Sequence, residues 1–205
     1  MVVATPTKGP RRARAGLLAA LVLAIGAVLF GHGLFLTAKA EIAQVLLAKA
    51  WTRAIDGETA PTPWPWADTW PVARLSVPSL GAHAIVLAEA GGEALSFGPA
   101  LLSVSAIPGE AGTSIIAAHR DTHFEFLQDV SIGDEIIVER VDGSHLRFQV
   151  TAMQVVDAAR SGIQPEGGPA RLALVTCWPF GALTPGPERY VVWAELVASD
   201  PGLRI

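Results

Sequence analysis

Cysteine is almost missing from this 205-residue chain: Cys177, in LALVTCWPFG (172–181), stands alone. One cysteine cannot close an intramolecular bridge, so a disulfide scaffold is excluded. With no C-x-x-C and no second thiol to resolve an oxidised sulfur, a redox role has little footing. An excess of basic charge is missing too. There are 15 Lys and Arg against 19 Asp and Glu, a formal net charge of −4, and this is not the basic footprint of a nucleic-acid binder. No internal repeat is present, which sets aside solenoid architectures. Charged residues make up only 17% of the chain and apolar residues 51%, more than a soluble domain usually carries.

The apolar excess is concentrated near the N-terminus. Residues 15–38, AGLLAALVLAIGAVLFGHGLFLTA, contain no charge. At roughly 1.5 Å per residue they make about 36 Å of helix, enough to cross a hydrocarbon core of about 30 Å. Lys8, Arg11, Arg12 and Arg14 sit in the preceding tail, 1–14, and the positive-inside rule keeps that tail in the cytoplasm. Ala38-Lys39-Ala40 has the form of a signal-peptide cleavage site, but the apolar run exceeds the 7–15 residues of such peptides. An uncleaved single-pass anchor is the expectation, and either reading carries the remaining chain across the membrane.

Beyond the anchor, residues 39–55 are expected to prolong the helix as an amphipathic stalk, with Ile42, Val45, Leu46 and Ala50 on one face. Four prolines within 56–71 forbid a helix and mark a linker. Its Trp64, Trp66 and Trp70 suit either the membrane interface or plugs on the following domain. From residue 72 the periodicity becomes β-like, in runs at 72–77, 83–87, 113–119, 134–140, 145–156, 171–177 and 189–196. Gly, Pro and Asp-Gly separate them, and VDGSH (141–145) reads as a hairpin turn. FEFLQDV (124–130) has the length of a helical turn or two. Seven or eight short strands with few helices predict an all-β domain, closed or sandwiched, over 72–199, followed by a tail at 200–205.

Cys177 ends an apolar strand where a rigid scaffold hands over to a loop, a place where reactive side chains are often presented. A buried, inert cysteine is the competing reading. A thiol of ordinary pKa, about 8.5, is only about 3% ionised at pH 7, so a reactive one needs a basic neighbour. Of the five histidines, His32 lies in the apolar run, and His83 and His145 open ordinary strands. His119, in TSIIAAHRDTHF, also closes an apolar strand and can meet Cys177 if both strands end at the same mouth. His123 is the reserve base. The pair His119 and His123 lacks the glutamate of H-E-x-x-H, and the first of them closes a strand rather than riding on a helix, so no metal site is expected. Arg189, 12 residues after Cys177 and opening the last strand, returns close to the thiol if 171–177 and 189–196 are antiparallel neighbours. A guanidinium there can donate to an acyl oxyanion.

The combination of A-A-H, L-V-T-C and R-Y-V-V resembles the sortases, over residues 72–199. TCWPF followed by a proline-rich loop is most similar to the single-target sortases of marine proteobacteria. That resemblance implies an eight-stranded β-barrel with short helices behind an N-terminal transmembrane helix. It also implies a cysteine transpeptidase with Cys177 as nucleophile, His119 as acid/base and Arg189 as oxyanion and substrate arginine. Thr176, Trp178 and Asp121 are the candidate substrate contacts, although packing explains the first two equally well. The partners it implies are a secreted protein with a C-terminal LPXTG-like sorting signal, an amine acceptor and the membrane through 15–38. Calcium-dependent members of the family use an acidic loop cluster that finds no match here; no cofactor, metal or nucleic acid is expected. The location it implies is the bacterial inner (plasma) membrane, N-terminus inside and catalytic domain periplasmic. A hydrolase using the same thioester, or a tethered barrel that only binds, remains the alternative.

Overall fold

A computed structural model of the chain describes residues 10–89, 91, 94–184 and 186–200. Most of the expected basic tail, 1–9, and all but Asp200 of the expected C-terminal tail lie outside the described residues. One helix, α1 (Pro10–Ile55), runs without a break where an anchor and a stalk were expected. Its stretch from Ala20 is long and apolar enough to cross a membrane. The chain divides into two compact units, one ending at Ile42 and one starting at Ala43.

Within the second unit, the last turns of α1 pack on the domain that follows, along a face that shares Ala50 with the expected one but is turned away from Val45. Ala43, Leu47, Ala50, Trp51 and Ala54 are buried, whereas Val45 is 55% exposed; at the end of the first unit Ile42 is 60% exposed. The buried stripe follows i, i+4, i+7, i+8, i+11, and its three alanines let the helix backbone approach closely while Leu47 and Trp51 fill the gap. Leu47 joins Leu87, Ala94 and Ala100 in one cluster, Gln44 Nε2 donates to the Phe97 carbonyl at 2.8 Å, and the Arg74 guanidinium lies 5.4 Å from the centroid of the Trp51 ring. The proline-rich stretch is also held down. Trp64 meets Phe97 edge to face at 4.7 Å, and Thr69 Oγ1 donates to the Ala88 carbonyl at 2.6 Å, while Trp66 stays 78% exposed.

Eight strands close a barrel: β1 (Pro71–Val77), β2 (Ala82–Ala88), β3 (Ala100–Leu101), β4 (Thr113–Ala117), β5 (Glu135–Arg140), β6 (His145–Asp157), β7 (Arg171–Cys177) and β8 (Glu188–Asp200). Their order around the wall is β1-β2-β3-β4-β7-β8-β6-β5, with β5 returning to β1. β3, only two residues long, was not foreseen. β4 stops two residues short of His119, and the FEFLQDV segment forms one short 3-10 turn, Glu125–Gln128. The barrel interior is filled by alternate side chains, including Leu75, Ile116, Phe148 and Leu174, and by Phe124 from the segment after β4. A second, smaller apolar layer lies on the outer face: Ile115 of β4, Ala173 of β7 and Val191 of β8, with Val156, Ile163 and Val175 against it. This outer layer carries the site.

Candidate active site

Along β7, Leu172 and Leu174 face the interior and Ala173 and Val175 face out, so strand alternation turns Cys177 outward as well. Cys177 is partly exposed and unpaired. β7 and β8 are antiparallel with Cys177 directly opposite Arg189. The next pair along is joined by a backbone bond, Trp178 N–H to Glu188 O at 3.1 Å. Because hydrogen-bonded and non-hydrogen-bonded pairs alternate, Cys177 and Arg189 form the narrower kind, in which facing side chains are nearest. Nη1 of Arg189 donates to the Gly186 carbonyl at 2.9 Å and the Glu188 carbonyl at 2.8 Å. Those bonds use both hydrogens of Nη1 and orient the guanidinium, with Nε and Nη2 as its remaining donors.

His119 reaches the same mouth by a different route. β4 runs parallel to β7, with Ala117 opposite Val175. The pairing continues past the end of β4: the Ala118 N–H donates to the Val175 carbonyl at 3.1 Å, and Thr176 Oγ1 donates to the Ala118 carbonyl at 2.8 Å. His119 therefore leaves the sheet level with Cys177. His123 lies close enough for its ring to feel that of His119. Burial, then the His119 charge, push the His123 pKa below its ordinary 6.5, against a backbone hydrogen bond at Ser96 that raises it. Among the described residues, no group of three or more His, Cys, Asp or Glu gathers in a metal-holding arrangement.

The three flanking candidates are placed away from the outer face or tied up elsewhere. Thr176 is 2% exposed and points into the barrel, where its hydroxyl bonds Ala118 instead of a groove. Trp178 stacks on Tyr190 at 5.5 Å and meets Phe180 edge to face at 5.7 Å, closing an aromatic cluster over the barrel end. Asp121 pairs with Arg120 at 3.3 Å, its side chain 62% exposed. Arg120 is the residue the sequence reading passed over. It is only 7% exposed, and Nη2 donates to the carbonyl of Ala182, in the loop that follows Cys177. A charged residue directly after a strand-ending histidine was the available signal, but sequence alone put it in a solvated loop.

A groove of about 320 Å³ runs along the outer face toward Arg189. Ile115 and Ala117 of β4, Val175 of β7 and Val191 of β8 form its floor, and Ala158, Ile163 and Pro165 of the β6–β7 loop form one wall. The Thr113 N–H, donating to the Pro165 carbonyl at 2.9 Å, holds that wall to β4. Cys177 and His119 do not line this groove; Arg189 does, and Cys177 faces Arg189 across β7 and β8, so an apolar groove on the face to which the thiol turns fits an extended peptide whose carbonyl is to be attacked.

The Sortase domain family model matches residues 75–197, from the middle of β1 nearly to the end of β8. The chain belongs to the sortase family. Sortase D from Bacillus subtilis (strain 168) is 24% identical over 124 residues, covering 60% of this chain and 62% of that protein. Among solved structures, Sortase A from Corynebacterium diphtheriae superposes with a TM-score of 0.59 at 28% identity, covering 66% of this chain and 65% of that one. Sortase A from Listeria monocytogenes shares the fold, with a TM-score of 0.57 at 21% identity over 65% of this chain and 92% of that one. The first two matches thus span a little under two-thirds of the relatives' own lengths. The family-model match covers the barrel on which this sortase carries Cys177.

Proposed function

We propose that this sortase is a membrane-anchored cysteine transpeptidase. Cys177 cleaves a C-terminal, LPXTG-like sorting signal of a secreted protein and transfers the acyl group to an amine. The observation that carries the reading is the register: Cys177 directly opposes Arg189 across β7 and β8, and His119 leaves β4 level with both. In the first half-reaction Cys177, its thiol proton passed to His119, attacks the carbonyl carbon of the scissile peptide bond as thiolate. The electron pair moves onto oxygen, and the remaining Arg189 donors stabilise that oxyanion. As the intermediate collapses, His119 gives a proton to the departing amine and a thioester remains. In the second half-reaction His119 takes a proton from the incoming amine as it attacks the thioester, and Cys177 leaves as thiolate.

The TCWPF stretch with its following proline-rich loop supports a place among the single-target sortases of marine proteobacteria. The apolar run of α1 and the basic residues Lys8, Arg11, Arg12 and Arg14 that precede that run support a bacterial inner-membrane anchor with the N-terminus inside and the barrel periplasmic. The test uses the full chain in detergent, a peptide containing Leu-Pro-Ala-Thr-Gly, and triglycine as acceptor. Mass spectrometry is expected to find an acyl adduct on Cys177 and a ligated product, both absent from Cys177→Ala. Cleavage with water as the sole acceptor would replace the transferase by the hydrolase. An unmodified Cys177 beside intact peptide, across a panel of such signals, would end the catalytic reading in favour of a tethered binding module.

A further inference from the structure

We propose that Arg120 is a positioning residue that ties the loop following the nucleophile to the strand end bearing the base; this rests on the reading of Cys177 and His119 given above. Arg120 follows His119 directly, and its guanidinium is buried. One arm, Nη2, donates to the carbonyl of Ala182, 62 residues away in the loop between Cys177 and Arg189, while Nε donates to Asp121 Oδ1 at 3.3 Å. The Nη1 atom is buried with no partner.

A buried cation with one orphan donor is a poor device for stability alone, since an apolar side chain of similar volume would pack there at less cost. Its geometry explains its presence. Among the described residues the β7–β8 loop carries no strand pairing between Trp178 and Glu188, and it delivers the Gly186 carbonyl that, with the Glu188 carbonyl at the start of β8, orients Arg189. The loop is held at its ends by the Trp178–Glu188 bond and by the Ala158 N–H donating to the Pro187 carbonyl at 2.8 Å, and by the aromatic contacts of Trp178 and Phe180; the Arg120 bridge is the hydrogen bond that reaches from its middle to the residue beside His119. Loosening it lets thiol, imidazole and guanidinium drift apart without removing any of them.

The experiment compares Arg120→Gln, Arg120→Lys, Cys177→Ala and His119→Ala in the full chain, in detergent. It uses the Leu-Pro-Ala-Thr-Gly peptide with triglycine, together with the rate of Cys177 alkylation by iodoacetamide. Arg120→Gln is expected to lower kcat by about tenfold to a hundredfold, as a roughly 1 Å misplacement does, with KM nearly unchanged. Its alkylation rate moves toward that of His119→Ala. Arg120→Lys, which keeps the charge and one donor direction, recovers part of kcat. A wild-type kcat in Arg120→Gln while Cys177→Ala is dead overturns this proposal alone. Turnover by Cys177→Ala overturns the catalytic reading beneath it. A loss that vanishes when rates are normalised to folded protein, or failure of both Arg120 variants to fold, assigns Arg120 to the fold and also overturns the proposal.

Discussion

Replacing Thr176 by valine isolates one atom at the junction between β4 and β7. Valine keeps the side-chain shape and removes only the hydroxyl, so no cavity opens and the core around residue 176 stays filled. What is lost is the 2.8 Å bond to the Ala118 carbonyl, in a place where water cannot substitute, since Thr176 is 2% and Ala118 7% exposed. An acceptor left unsatisfied in such a place costs about 1–3 kcal/mol. For a chain of this size each kcal/mol moves Tm by about 2–4 °C, so the expected fall is roughly 2–12 °C in a thermal melt of the detergent-solubilised chain. The activity readout separates positioning from substrate contact. A hydroxyl that only fixes the level of His119 against Cys177 lowers kcat and leaves KM in place. Because Arg120 holds the same junction, the Thr176→Val and Arg120→Gln effects on kcat should not add. An unchanged Tm with a raised KM and an intact kcat would show that Thr176 touches substrate, and would refute the inward-facing assignment.

Arg189→Ala should lower kcat by about 10²- to 10³-fold, the usual loss for an oxyanion donor, in steady-state peptide ligation. Arg189→Lys should recover little, since an ammonium held by the Gly186 and Glu188 carbonyls has one N–H left, on the same nitrogen, and lacks the separate Nε and Nη2 donors of the planar guanidinium. Histidine 123 gives a pH signature in stability. Its folded pKa lies below 6.5, so between those two values the unfolded chain binds more proton than the folded one and stability rises with pH. Chemical denaturation should therefore show stability falling as pH drops through 6.5, and His123→Asn should flatten that part of the curve; an unaltered slope would remove His123 as its source. Gly112→Ala tests the groove wall. The glycine sits at φ +113°, and a Cβ there would come within 2.5 Å of the Pro165 carbonyl oxygen. Backbone strain of about 1–3 kcal/mol is expected, with the wall displaced and KM for peptide raised; a wild-type KM would show that Pro165 does not shape the substrate path.

The barrel was legible where alternation was long. In β6, Leu146, Phe148 and Val150 face inward between exposed neighbours, and that period fixes both the element and its buried face. β3 offers two residues, too few for any period, and exists because its neighbours β2 and β4 need an edge between them. The packed face of α1 was misread for a related reason. Weighting Ile42 and Val45 followed one set of apolar residues, whereas the helix docks through Leu47 and Trp51 set among alanines, Ala43, Ala50 and Ala54, that allow close approach. Arg120 was hidden by the same habit in reverse: charge suggested solvent, but a carbonyl in a distant loop offered a partner.

The site itself shows why a motif and a mechanism are different kinds of information. The antiparallel β7–β8 neighbourhood can be anticipated, since a short loop joins the two strands, and with it the facing of Cys177 and Arg189. The β4–β7 neighbourhood cannot, because these parallel strands are separated by β5 and β6 and the whole loop from 158 to 170. Nothing local in TSIIAAH reports which strand will lie beside it. A register slip of one residue between β4 and β7 would move His119 a full strand step, about 3.3 Å, along the thiol's strand. That exceeds the hydrogen-bond reach through which an acid/base must work. The bonds that forbid such a slip are the Ala118–Val175 backbone pair and the Thr176 hydroxyl, with the Arg120 bridge beyond them. Two of these three rest on side chains beside His119 and Cys177, so on the proposed reading chemistry depends on neighbours that need never touch the substrate.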